Sequence, residues 1–261
     1  MSQFKVYIVF ILILFSGNLF AQKQKNIVID EQLTANSEPL KVKMGSQIMG
    51  KMAKYKFGNF EVIEGKTGWQ KSDYSSNLFE TKVETSTSKK FWFSLADESD
   101  NTVTVHAALN VRVKVNEEKE LFGGFYVGEN EELLNSDNFT ATLFFNSDTT
   151  KLWLLYMLKE RGSESKQTGT AFLTNGSRKI LILSATSADG SKDNRMFPAL
   201  GYEFVEDGQS LSALQYFGGG AMGLNKVFVW LHNELDENTK LLLAGAATAI
   251  LHNEYSALSD F

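Results

Sequence analysis

Between Asn101 and Val115 apolar and polar positions alternate almost without interruption. Val103, Val105, Ala107, Leu109, Val111, Val113 and Val115 form one set, and Thr102, Thr104, His106, Ala108, Asn110, Arg112 and Lys114 form the other. A period of two over this length predicts a long strand with one face buried and the other wet. Less regular versions of the pattern predict strands over Asn26–Asp30, Met49–Phe57, Phe60–Glu64, Leu78–Val83 and Lys89–Leu95. Further strands are predicted over Phe139–Phe145, Gly169–Thr174, Arg178–Ala185, Gly201–Val205, Ser210–Phe217 and Lys226–Leu231.

Turn residues separate these runs: Gly58–Asn59, Gly65–Lys66–Thr67–Gly68, Asn175–Gly176, Asp189–Gly190 and Asp207–Gly208. Asn175–Gly176 between two apolar runs is the sharpest hairpin signal, because both residues tolerate the left-handed backbone that a tight turn demands. Lys151–Leu158 is apolar on every face, and periodicity alone does not assign it. With Asn146–Thr150 read as the turn of a hairpin leading back to Phe139–Phe145, it becomes a central strand.

One helix stands apart. Asp236 is a candidate N-cap, Glu237 suits the positive first turn, and Leu241–Leu251 follows as an alanine-rich apolar run. Eleven residues rising 1.5 Å each span only about 16 Å, short of a bilayer. Such a helix belongs against a sheet. The expected fold is therefore mainly β, an antiparallel β-sandwich or barrel-like meander with one buried C-terminal α-helix. A single domain over residues 22–261 is expected; the alternative is two β units divided at the charged break near residues 116–120.

Composition narrows the class. The chain is 43% hydrophobic and 12% aromatic, which suits a packed globular protein and not a disordered one. The formal charge is −5 with both signs spread along the chain, so no basic stripe invites nucleic acid and no polybasic segment invites anionic lipid. Cysteine is absent, which excludes disulfides, thiol catalysis and thiolate metal sites. Met1–Lys5 is a short basic head, Val6–Phe15 an apolar run and Ser16–Ala21 a small-residue exit, the pattern of a cleaved secretory signal peptide. Export, with cleavage at about Ala21, is the expectation, and the lack of cysteine points to a bacterial envelope (periplasmic, surface or secreted).

Several motifs touch on chemistry without completing it. Gly218–Gly219–Gly220–Ala221–Met222–Gly223 fits G-x-G-x-x-G, but a strand follows it where a dinucleotide site needs a helix. A hairpin or crossing loop is expected. Lys66–Thr67–Gly68 and Ser136–Asp137–Asn138 resemble two boxes of the penicillin-recognising serine enzymes, and Ser86–Lys89 and Ser163–Lys166 resemble the third. Their order along the chain is wrong for that chemistry, so coincidence is the reading.

Leu231–His232–Asn233–Glu234 recurs as Leu251–His252–Asn253–Glu254, which could suggest a metal. The helix between the two copies holds them about 24 Å apart, so both are read as polar caps. His106 is read as solitary on a wet strand face. Asp189–Asn194 lacks the glycine and glutamate of a calcium loop and reads as a surface turn. The sequons at Asn138 and Asn175 carry little weight. Phe261 matches the aromatic ending of outer-membrane barrels, yet Ser259 and the preceding helix break that pattern. Trp69, Trp92, Trp153 and Trp230 could include a sugar-stacking platform, but apolar runs such as Phe91–Trp92–Phe93 favour core packing.

No catalytic residue is therefore named, and no cofactor or metal is expected. The functional expectation is a non-enzymatic envelope protein that binds a ligand or a partner protein, with no nucleic acid and no membrane span after cleavage. The alternatives are a hydrolase using paired carboxylates and a structural component of a surface assembly.

Overall fold

A computed structural model of the chain describes residues 26–45, 50–76, 82–116, 119–122, 125–127, 131–146, 148, 150–161, 167–188, 198–219 and 225–259. The leader pattern, Ser163–Lys166 and Asp189–Asn194 lie outside them. A short helix α1 (Glu31–Ala35) precedes two stubs, β1 (Leu40–Lys41) and β2 (Lys43–Met44). Then come β3 (Tyr55–Phe57), β4 (Phe60–Thr67), β5 (Lys71–Ser76), β6 (Lys82–Ala96) and β7 (Thr102–Asn116). A small hairpin, β8 (Lys119–Phe122) with β9 (Phe125–Val127), leads to β10 (Glu131–Phe145), β11 (Leu152–Arg161) and β12 (Gln167–Thr174). The chain finishes with β13 (Lys179–Thr186), β14 (Leu200–Glu206), β15 (Gln209–Phe217), β16 (Phe228–Leu231) and a long helix α2 (Glu237–Ser259).

All strand pairs are antiparallel, and one sheet runs β1-β16-β15-β14-β13-β12-β11-β10-β7-β6-β4-β3-β2, with β5 also on β6. The two ends of this path are consecutive pieces of a single segment. Leu40–Lys41 pairs with β16 and Lys43–Met44 with β3, while Val42 N–H donates to Val227 at 3.0 Å. Residues 40–44 thus form a short seam that brings the sheet round into a nearly closed barrel. The seam pairs the two ends of the path and so limits the open edge that would otherwise invite aggregation.

Helix α2 fills the barrel and touches β6, β7, β10, β15 and β16. Leu241, Leu242, Leu243, Ile250 and Leu251 are at most 1% exposed, each contributing roughly 1.5–3 kcal/mol by burial. Small residues make the fit possible. A Cβ on Gly245 would lie 2.8 Å from Val103 Cγ1, so glycine there lets the helix approach β7. Asp236 caps the helix as expected, accepting from Thr239 N at 3.0 Å and Thr239 Oγ1 at 2.7 Å.

The mainly β fold with one buried C-terminal helix is observed, and Leu152–Arg161 is a strand. At Asn175–Gly176 the chain makes its hairpin, with Gly176 at φ 92° and Asn175 Oδ1 accepting from Arg178 N at 2.8 Å. Asp207 and Gly208 both have positive φ, the backbone of a two-residue turn whose twist matches its strands.

Several expectations need correction, among them the turn at Gly65–Gly68, where Gly65–Thr67 belong to β4. Asn26–Asp30 forms no strand, because Asp30 caps α1 by accepting from Gln32 and Leu33. Of the described part of Met49–Phe57, only Tyr55–Phe57 is a strand, with an isolated bridge at Lys51. Val83 and Lys89–Leu95 belong to one continuous strand, β6, while 78–81 lie outside the described residues. The polar run Lys71–Ser76 went unpredicted, since it pairs as a strand with no buried face.

Candidate functional site

Inward positions along β6, β7, β10 and β11 are buried in the core shared with the helix, so the alternate positions face out. Register aligns those outward residues into rows that cross the strands. One row runs Lys66, Trp92, His106, Thr142 and Leu154, and the next runs Lys90, Ala108, Thr140, Tyr156, Phe172 and Leu181. The rings of Trp92 and His106 stack 6.1 Å apart at 19°, and those of His106 and Phe144 stack 5.7 Å apart at 13°. His106 lies on the exposed face of β7, as expected, in the middle of an aromatic ladder. Small side chains in the second row leave a trough beside the ladder, a groove of about 670 Å³.

Trp69 stands at the rim. Strands β4 and β5 both pair with β6 on the same side and are separated only by Gly68–Gln70. Gly68 N–H still donates to Lys90 at 2.7 Å, and a Cβ at Gly68 would lie 2.9 Å from that carbonyl oxygen. The irregularity after Gly68 lifts Trp69 out of the sheet, leaving it 85% exposed. Irregularities of this kind often re-aim a side chain beside a functional site. The core-packing expectation therefore holds for Trp153 and Trp230, which are buried, and fails for Trp69 and Trp92, which line the groove.

Polar groups complete the lining. Lys66 and Lys90 are exposed; among the described residues they make no ion pair and no carboxylate lines the groove. Thr140 and Thr142 add hydroxyls. A neighbouring outward row places Ser88, Asn110 and Asn138 side by side. Asn138 Oδ1 is buried with no hydrogen-bond partner among the described residues. Beyond the groove the second row continues as a shelf: Tyr156 and Phe172 lie 5.4 Å apart, and Lys179 Nζ stands 4.7 Å above the Phe172 ring.

A second polar cluster surrounds the far end of α2. His252, expected to be a cap, is buried within the helix. Its Nδ1 is hydrogen-bonded to the Tyr55 hydroxyl at 3.0 Å, and its Nε2 lies 3.4 Å from Thr67 Oγ1. Burial holds its pKa down to about 4, and Lys89 adds to the effect. On the other side, Glu254 Oε1 accepts from Lys159 Nζ at 2.5 Å and from the Tyr202 hydroxyl at 2.8 Å. Burial raises the phenol pKa of Tyr202 strongly and pushes that of Tyr216 up to about 12. These groups satisfy one another. They tie the helix to opposite walls.

The remaining motif residues do not converge. Gly218 and Gly219 have positive φ in a connection between antiparallel β15 and β16, with a bridge from Gly219 to Asn225; 220–224 lie outside the described residues. A segment that joins two strands differs from the strand-to-helix turn that a phosphate cradle needs. Thr67 of the K-T-G run points inward while Lys66 points outward. Ser86 and Lys89, three apart on β6, face opposite sides of the wall. Ser136 shares a row with Ser86 and lies six residues along β10 from Thr142, the residue in Lys66's row, a separation of about 20 Å. His232 Nδ1 accepts from Glu234 N at 3.3 Å in the turn before α2. Among the described residues no group of three or more His, Asp or Glu could hold a metal ion, and no helix is long and apolar enough to cross a membrane.

The fold and groove define an antiparallel barrel wrapped around a C-terminal helix, with an aromatic-walled trough on its outer surface. The chain matches no protein-family model, no curated protein and no solved structure.

Proposed function

We propose that this is a non-enzymatic carbohydrate-binding protein of the cell envelope. The observation that carries the reading is Trp69, a large aromatic side chain raised into solvent at the rim of a groove already walled by Trp92 and His106. A sugar ring has an apolar face that stacks on an aromatic ring and hydroxyl edges that need polar partners. The groove supplies both, with threonine and lysine beside the rings. The leader pattern of residues 1–21 supports an extracytoplasmic setting, where glycans are abundant. A paired-carboxylate hydrolase finds no support at this site, because no acid lines it.

Titration of the purified protein with a panel of neutral and acidic oligosaccharides, read by tryptophan fluorescence and calorimetry, tests the reading. Binding that drops about tenfold in Trp69→Ala, with folding intact, supports it. Absence of binding across the panel overturns it.

A second reading, assembly with other surface proteins, has one observation in its favour. Leu152, Leu154, Leu181 and Leu183 are between 36% and 48% exposed on the outer wall. Light scattering over a range of concentrations would reveal self-association through that face.

A further inference from the structure

We infer that the groove selects acidic oligosaccharides, binding an extended chain of sugar carboxylates across the strands. This rests on the carbohydrate reading above and narrows it. Charge is the first argument. Lys66 and Lys90 both line the groove, and among the described residues neither is neutralised by an ion pair and no carboxylate stands in the lining. The nearest carboxylate on the same outward face of β4 is Glu64, which accepts from Ser94 Oγ at 3.4 Å. In a chain whose formal charge is −5, an acid-free groove with two unpaired amines is a local reversal of sign. Such a reversal complements an anion.

Shape is the second argument. The groove floor, Lys90–Ala108–Thr140, continues through Tyr156 and Phe172 to Leu181 along one row of the sheet. Six strands at about 4.8 Å spacing make a track roughly 24 Å long, enough for several sugar rings. Lysine recurs along it, with Lys90 at one end and Lys179 Nζ over the Phe172 ring at the other. Aromatic surface lying between two amines suits a polymer that presents ring faces and carboxylates in turn. A compact single anion would use only one end.

The experiment uses hexamers of galacturonate, mannuronate and glucuronate, each beside its methyl ester, which keeps the backbone and removes the charge. Inorganic polyphosphate serves as an anion without rings. For at least one uronate, affinity should exceed that of its ester by about tenfold and weaken with added salt. The double variant Lys66→Gln with Lys90→Gln should bring acid and ester to the same affinity, with an unchanged melting temperature establishing that the fold survives. Trp69→Ala should weaken both forms alike.

Equal binding of acid and ester overturns the acidic preference and leaves the carbohydrate reading standing. Polyphosphate binding as tightly as the uronates, and indifferent to Trp69→Ala, overturns the inference in favour of plain charge attraction. If no hexamer binds at about 1 mM, the inference falls; neutral oligosaccharides then decide whether the wider reading falls with it.

Discussion

On β6, Phe91 and Phe93 point into the barrel and are 5% and 0% exposed, whereas Trp92 between them points outward into the groove. Each strand of this wall serves two surfaces with opposite demands. The inner surface meets an apolar helix, where a well-packed side chain contributes stability and a misplaced atom has nowhere to go. The outer surface keeps Trp69, Trp92, Tyr156 and Phe172 at positions that stability alone would give to polar residues. The difference shows how one alternating pattern can supply both a packed core and an aromatic-lined outer groove. Aromatic residues inside are explained by packing; under the proposed function those outside serve a ligand.

The sharpest way to break the contrast is from within. Leu242→Ala should open a cavity beside the wall and cost about 3 kcal/mol, measured by urea unfolding. A loss below about 1 kcal/mol would mean that the helix does not organise the barrel.

Acid offers a second probe of the interior. The folded pKa of His252, about 4, lies below the ordinary value of 6.5, so the unfolded chain takes up the proton first as pH falls. Stability should therefore be complete above about pH 6.5 and decline toward pH 4, by about 3 kcal/mol at most. His252→Gln should remove that component of the pH dependence. Equal losses in wild type and variant between pH 7 and pH 4.5 would assign the effect elsewhere.

At the far end of the helix, Lys159→Met leaves the Glu254 carboxylate, 12% exposed, without its cation. A loss of about 2 kcal/mol is expected, partly restored by adding Glu254→Gln. Failure of the second change to restore anything would show that Lys159 acts through packing, for example over the Tyr202 ring 5.6 Å away.

The outer face should give the smallest change in stability. Trp69→Ala should alter unfolding by no more than about 0.5 kcal/mol while weakening oligosaccharide binding about tenfold. A large destabilisation would place Trp69 with the core residues and dissolve the contrast.

Much of this architecture was legible beforehand. Val103 to Val113 alternate strongly enough to name the buried face of β7, although burial fades beyond Ala107, where the strand runs past the most enclosed part of the barrel. Asn175–Gly176 and Asp236 announced a turn and a helix start because each acts through backbone groups only two or three residues away. Trp69 left a fainter trace, a lone aromatic between Gly68 and the polar run Gln70–Asp73. The stretch Phe91–Trp92–Phe93 was misread at its centre, since hydrophobicity does not reveal that alternation turns one of three aromatics outward. His252 sat in a polar tetrapeptide that looked like a helix end. Its burial depends on Tyr55, Thr67 and Phe91, all far earlier in the chain.

Strands, turns and the helix start follow from local rules, because alternation, left-handed turn backbone and capping all act over a few neighbouring residues. The seam at residues 40–44, the helix inside the barrel and the alignment of Trp92 with His106 and Thr142 depend on register between distant strands. That register emerges only when the entire wall closes around the helix, since a slip of one residue would exchange the core for the groove.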